Sequence, residues 1–281
     1  MTLGRKAWQA IEPLHGFIYF VPEAQQRFAA LGLEAGAGYF ASRSAAFGAV
    51  SAETVIATFY NFNPEFVRRS MAGVWDKVTP EQVLTARLEA ADAALRRGLG
   101  DLIDSDALVE TAALTRTAAE AACQRLEGRP LFAAHATLPW PTEPHLQLFH
   151  AQTLLREYRG DGHLAALLTA ELTGIEALVV HAATGYLPAK ALRGTRQWSE
   201  EQWAEAVAGL QERKIVEPGE DLALTEEGRA MRQHVEDLTD RLAEPAYAAL
   251  GEAGVDRLAE VGKPLSDAVI EAGLLPYLKK K

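Results

Sequence analysis

The residue types best suited to chemistry are concentrated in one stretch, Trp140–Ala166, WPTEPHLQLFHAQTLLREYRGDGHLAA. His145, His150, Arg156, Arg159, Asp161 and His163 lie there among mostly apolar neighbours. On a helix, His150, Thr153 and Glu157 share one line through their i, i+3, i+7 spacing. An imidazole on such a line can act as a general base or hydrogen-bond a ligand. Arg159-Gly160-Asp161-Gly162-His163 adds glycines that permit a tight turn and close approach of a ligand. There Asp161 can fix the tautomer of His163, or cap the next helix while the glycines turn the chain. The spacing therefore predicts His150, His163 and Asp161 as the groups that would move protons.

Other residues supply anchors. Arg43 stands in GYFASRSAAFG, where a guanidinium needs an anion, a carboxylate partner or several carbonyls. Bidentate contact with a ligand carboxylate or phosphate is one solution, and an ion pair, for example with Asp161, is the other. Tyr39 lies one helical turn before Arg43. Asn61 sits in FYNFN between two helices, where Asn63 is explained as an N-cap and Asn61 is not. His15 occupies a position comparable to that of His150. His145 starts the chemistry-bearing helix, and Arg156 and Arg159 follow on it. His15, Tyr39, Arg43, Asn61, His145, Arg156 and Arg159 are thus the predicted ligand-binding set. For each histidine and tyrosine the plainer alternative is a satisfied core side chain.

Several classes are excluded or disfavoured. His145 and His150 are five residues apart and diverge around a helix, and HExxH and cysteine pairs are absent, so no metal is expected. P-loop, GxGxxG after a strand and GxSxG patterns are absent, and no cofactor is implied. The single cysteine, Cys123, rules out an internal disulfide and fits a cytoplasmic setting. No apolar run is long enough to span a membrane, and the N-terminus lacks a signal-peptide pattern. The formal net charge of −10 argues against a general polyanion binder. The Leu278–Lys281 run reads as a solvated tail.

The elements that must position these groups read as helices throughout. Apolar spacing predicts helices over Lys6–Phe20 and from Pro22 to Gly32, then a buried one through GYFASRSAAFG. Start signals follow at Ser51, Asn63-Pro64 and Thr79-Pro80. A long helix is expected over Ser105–Glu127 and an irregular, proline-rich connection over Leu131–Pro144. The chemistry-bearing helix should run to Tyr158 and break at Arg159–Gly162.

From Leu172 the pattern LTGIEALVVHAATGYLPAKAL, SEEQWAEAVAGLQERKIV, EPGEDLALTEEGRAMRQHV resembles a winged helix of the MarR kind. The resemblance implies a first helix over Gly174–Thr184, a second over Pro188–Leu192 and a recognition helix over Ser199–Lys214. A short β wing around Glu217–Asp221 and a closing helix from Thr225 complete it. The whole chain also resembles an actinobacterial family of uncharacterised winged-helix proteins, through PLH at Pro13–His15, GYFASR at Gly38–Arg43, FYNF at Phe59–Phe62 and the EPHLQLFHAQTLLREYRGDGH stretch. The expected fold is mostly α, with two similar helical halves suggesting internal duplication. Residues 1–130 form one, and 131–281 the other, with its winged helix at about 172–250.

Function is read against charge. The expected recognition helix opens Ser199-Glu200-Glu201-Gln202-Trp203-Ala204-Glu205, and the wing is acidic where phosphate needs cations. The favoured reading is a small-molecule, anion-binding protein or cofactor-free enzyme whose scaffold has lost DNA reading. A MarR-like regulator with an effector pocket and a non-catalytic interaction module are the alternatives. Oligomerisation is left open.

Overall fold

A computed structural model describes residues 1–219 and 221–278. Lys279–Lys281 of the C-terminal run and Glu220 of the acidic turn lie outside the described residues. The described chain is mostly α-helical, as the apolar periodicity predicts. The expected wing is reduced to one antiparallel bridge, Val216 to Leu224, and the described residues form no longer strand.

The chain divides into two compact units assembled from non-contiguous segments. The first comprises Met1–Val50, Gly73–Asp161 and the chain from Asp240 onward; the second comprises Ser51–Ala72 and Gly162–Thr239. This partition differs from a division at residue 130.

In the first unit the opening helix, Leu3–Ile11, lies along the last one, Gly251–Glu271. Their approach needs Gly262, where a Cβ would come within 2.5 Å of Ile11 Cγ2. The Pro80–Leu99 helix packs on Pro22–Ala30 and Ala35–Ser44, burying Val83, Ala90, Ala91, Ala94 and Leu95. A capping box starts it: Thr79 Oγ1 accepts from Gln82 N, and Gln82 Oε1 accepts from Thr79 N.

Several expected boundaries move. The first helix stops at Ile11, and Pro13–Gly16 and a 3₁₀ turn, Phe17–Tyr19, continue it in pieces. Pro13 takes the first position of the new turn, which its fixed φ favours. The long helix runs Asp106–Ala122. The presumed irregular connection contains a helix, Pro130–Ala136. Most consequential, the chemistry-bearing helix does not break at the glycines; it runs unbroken over Pro144–Thr169. Gly160 and Gly162 each cost it about 1 kcal/mol relative to Ala. Burial of Leu154, Leu155 and Tyr158 before them, and of Ala166 and Leu167 after them, outweighs that cost.

The second unit builds on Gly174–Ala182, Ala189–Arg196, Glu200–Glu212 and the start of Glu226–Tyr247. Two capping boxes, Thr173 with Glu176 and Ser199 with Gln202, start the first and third of these. Their apolar stripes meet in a core of Leu167, Leu172, Val179, Val180, Leu210 and Val235.

Candidate ligand-binding site

The first unit buries an unusual amount of polar chemistry. His15 comes from the Pro13–Gly16 turn, Tyr39 and Arg43 from the Ala35–Ser44 helix, and Arg87 from the middle of Pro80–Leu99. His135 comes from Pro130–Ala136, and His150, Arg156 and Glu157 from Pro144–Thr169. Residues from before and after position 130 therefore meet. Arg43, Arg87, His15, His135, His150 and Glu157 are all under 9% exposed.

One end of the cluster is an ion-pair knot. Arg43 Nη2 donates to both Glu157 oxygens, at 3.1 and 3.3 Å, and Arg43 Nη1 donates to Tyr39 Oη at 2.9 Å. Arg156 Nη1 donates to Glu157 Oε1 at 3.2 Å. Both guanidinium groups lie over the Tyr19 ring, 5.5 and 5.1 Å from its centroid. Burial pushes the Glu157 carboxyl up, but Arg43 and Arg156 outweigh it and hold it at about 2. The partner of Arg43 is thus Glu157 and not Asp161.

The other end lacks a carboxylate. Arg87 Nη2 lies 3.2 Å from His15 Nε2 and the guanidinium stands 5.1 Å from the Phe149 ring centroid. Among the described residues Arg87 has no carboxylate partner within ion-pair distance. A guanidinium only donates, so His15 Nε2 must be the acceptor and the ring proton sits on Nδ1. The His15 ring stacks on Phe149 with centroids 5.4 Å apart. Burial, followed by Arg156, Arg87 and Arg43, holds its pKa well below the usual histidine range. Burial and Arg87 likewise bring His135 to about 3. Burial, then Arg87 and Arg116, bring His150 to about 4. All three rings are neutral at pH 7.

His15 Nδ1, Tyr19 Oη, His135 Nδ1, His150 Nε2 and Gln152 Nε2 are buried polar atoms of this unit with no hydrogen-bond partner among the described residues. Buried polar groups are nearly always paired, and each exception costs about 1–3 kcal/mol. Trp140 stands edge-on to His150, 4.7 Å between centroids, with Arg116 over its ring. Tyr19 and Tyr39 also line a cavity of about 330 Å³, together with Ile18, Phe28, Leu33 and Ala35.

The remaining predicted residues are placed elsewhere. His145 is buried, and its Nε2 lies 2.7 Å from Asp92 Oδ1. Arg159 donates to Asp240 Oδ1 at 3.0 Å and lies over the Trp8 ring. Asp161 caps no helix of its own, because its helix is continuous; its Oδ2 accepts from Phe132 N at 2.9 Å, which ties down the start of Pro130–Ala136. Burial raises its carboxyl to about 6. His163 and Asn61 belong to the second unit; His163 Nδ1 lies 2.9 Å from Thr239 Oγ1.

Arg87 and His135 were not among the predicted set. Arg87 had a signal: it shares the apolar stripe of Val83, Ala90, Ala91 and Ala94, where a cation demands a reason. His135 carries none, because LFAAHA lies in a proline-rich stretch too short to show a helical face. Among the described residues no group of three His, Cys, Asp or Glu side chains could hold a metal ion, and no single helix is long and apolar enough to cross a membrane.

The second unit carries three consecutive helices and a bridge in the order of a helix-turn-helix module, and the whole is helical. A helix-turn-helix family model matches residues 4–276, and the chain belongs to that family. Neither the curated proteins nor the solved structures contain a match to it.

Proposed function

We propose that the first unit binds a small organic anion between Arg87, His15, His135 and His150, in a helix-turn-helix protein that does not read DNA. The observation that carries this is Arg87, a buried guanidinium whose hydrogen-bond partner among the described residues is a neutral imidazole. An isolated buried charge is costly unless paired, and a carboxylate or phosphate would pair it bidentately. His135 and His150 are neutral bases, and a bound anion raises their proton affinity, so proton transfer is the chemistry open to them. The cavity lined by Tyr19 and Tyr39 offers room for an apolar portion.

Within the helix-turn-helix class, a MarR-like winged helix is the finer reading, supported by the LTEEGR motif at Leu224–Arg229 and the Val216–Leu224 bridge. DNA binding is disfavoured by what the third helix offers to solvent. Glu200, Glu201, Glu205 and Glu212 are exposed on it. Nearby Arg193 and Arg213 donate to Glu200 and Glu176, at 2.5 and 3.1 Å. A helix entering a groove must neutralise phosphate, and this one repels it.

Thermal unfolding with a panel of carboxylates and phosphates tests the anion site. A ligand at 100 times its Kd raises stability by about 2.7 kcal/mol. That gain should appear for at least one organic anion and vanish in Arg87→Met. Equal gains in both proteins, or none across the panel, would remove the proposed site. A DNA titration at low salt should give no steep salt-dependent binding.

A further inference from the structure

The second unit contains a cavity that plays no part in the anion site. It measures about 260 Å³ and is walled by Phe59, Leu164, Leu167, Leu178 and Val235. Polar groups enter it at Asn61, His163, His181, Arg196 and Arg232. Its volume falls just below the ~300 Å³ at which typical small-molecule pockets begin, so an occupant must be compact.

One wall of this cavity is strained. Tyr60 has φ 49° and ψ −55°. Asn61 N donates to Phe59 O at 2.6 Å, closing a three-residue turn of the rare positive-φ kind. A bulky residue in that conformation costs about 1–3 kcal/mol and persists only where its surroundings force it. Here they do. Tyr60 Oη donates to Leu172 O, and Trp198 Nε1 donates to Asn61 O at 2.9 Å. Asn63 N donates to Arg196 O at 3.1 Å. Gly174 permits the approach, since a Cβ there would sit 1.9 Å from Tyr60 O. Four separate contacts thus hold a strained turn whose next residue, Asn61, lines the cavity. The Asn61 side-chain amide makes no hydrogen bond among the described residues.

The polar lining is rich in donors. Arg232 is paired with Glu236 on its own helix and has further N–H groups. His163 is fixed through Thr239. Burial, then Arg232 and Arg196 against Glu236, keeps His181 below its usual range, so it is neutral and offers one N–H. Donors at one side and aliphatic and aromatic walls at the other fit a single acceptor head on an apolar body.

We propose that this cavity binds a compact apolar carboxylic acid, its carboxylate at Asn61, His181 and the arginines and its body against the leucines. The proposal does not rest on the anion site of the first unit.

Trp198, bonded to the Asn61 carbonyl, provides the readout. Tryptophan fluorescence of the full chain is titrated with cyclohexanecarboxylate, and with acetate, which has the head without the body. Cyclohexanecarboxylate should give a saturable change and bind at least about tenfold more tightly than acetate. Ala177→Phe, which fills the cavity from a partly exposed position, and the milder Asn61→Ser should each weaken it by about tenfold or more. Arg87→Met should leave it unchanged. Three results would each overturn the proposal: no saturable response, a response unaffected by both cavity variants, or one abolished by Arg87→Met alone. The last would place the acid in the first unit and support the anion site there.

Discussion

The buried cluster of the first unit and the exposed third helix of the second dispose of charge in opposite ways. Inside, Arg43 and Arg87 are buried and the partly exposed Arg156 joins them, with Glu157 pairing both Arg43 and Arg156. Outside, carboxylates at Glu200, Glu201, Glu205 and Glu212 face water, and the nearby Arg193 and Arg213 are occupied by Glu200 and Glu176. Exposed ion pairs contribute little, because water competes for both partners. Buried cations must be paired or supplied with a ligand. The difference teaches where to look for function in a helix-turn-helix chain whose net charge is −10. The few buried cations are where the proposed ligand would be held.

Three measurements would break or sharpen that contrast. The largest effect is expected from Glu157→Gln, which leaves Arg43 and Arg156 facing a neutral amide. Breaking a buried pair in this way costs about 3–5 kcal/mol, whereas Glu205→Gln on the exposed helix should stay within about 0.5 kcal/mol. Similar small losses in both by denaturant unfolding would mean the cluster is wetter than its burial implies.

An intermediate effect is expected from acid. His135 and His150 sit at about 3 and about 4 when folded, against 6.5 as the ordinary value. The unfolded chain therefore binds protons first. Their contribution is complete above about pH 6.5 and is lost as pH falls toward 4. Asp161, raised to about 6, works oppositely, since its contribution is lost as pH rises from its ordinary value toward 6. Its shift is the smaller, so the melting temperature should fall between pH 6.5 and 4. His150→Gln should flatten that fall, and an unchanged profile in the variant would detach His150 from it.

The smallest effect concerns the outer helix. Glu201→Lys with Glu205→Lys should create weak, non-specific DNA binding, each phosphate contact adding about 0.9 to the salt slope. Absence of any gain at low salt would show that more than charge keeps this face off DNA.

Much of this contrast was legible beforehand, but unevenly. The acidic outer face could be read directly, because Ser199-Glu200-Glu201-Gln202 is a local capping pattern whose exposed positions follow from helical period. Arg43 and His150 stood out as polar groups in apolar helices. The RGDG segment misled, because two glycines suggest a turn and only the packing on either side shows that the helix pays their cost.

The chain alone determined its helical class, the capped starts at Ser51, Asn63 and Thr79 and the order of the helix-turn-helix elements, all of which depend on neighbours a few residues apart. It also determined that the third helix would face water with carboxylates. Only the tertiary structure decided that Arg43 meets Glu157 across 114 residues of sequence, and that Arg87 meets His15 across 72. It likewise sent His145, Arg159 and Asp161 to partners outside that cluster. Pairing of buried charges is settled by which helices pack together, and helical periodicity gives the face of each helix but not its neighbour.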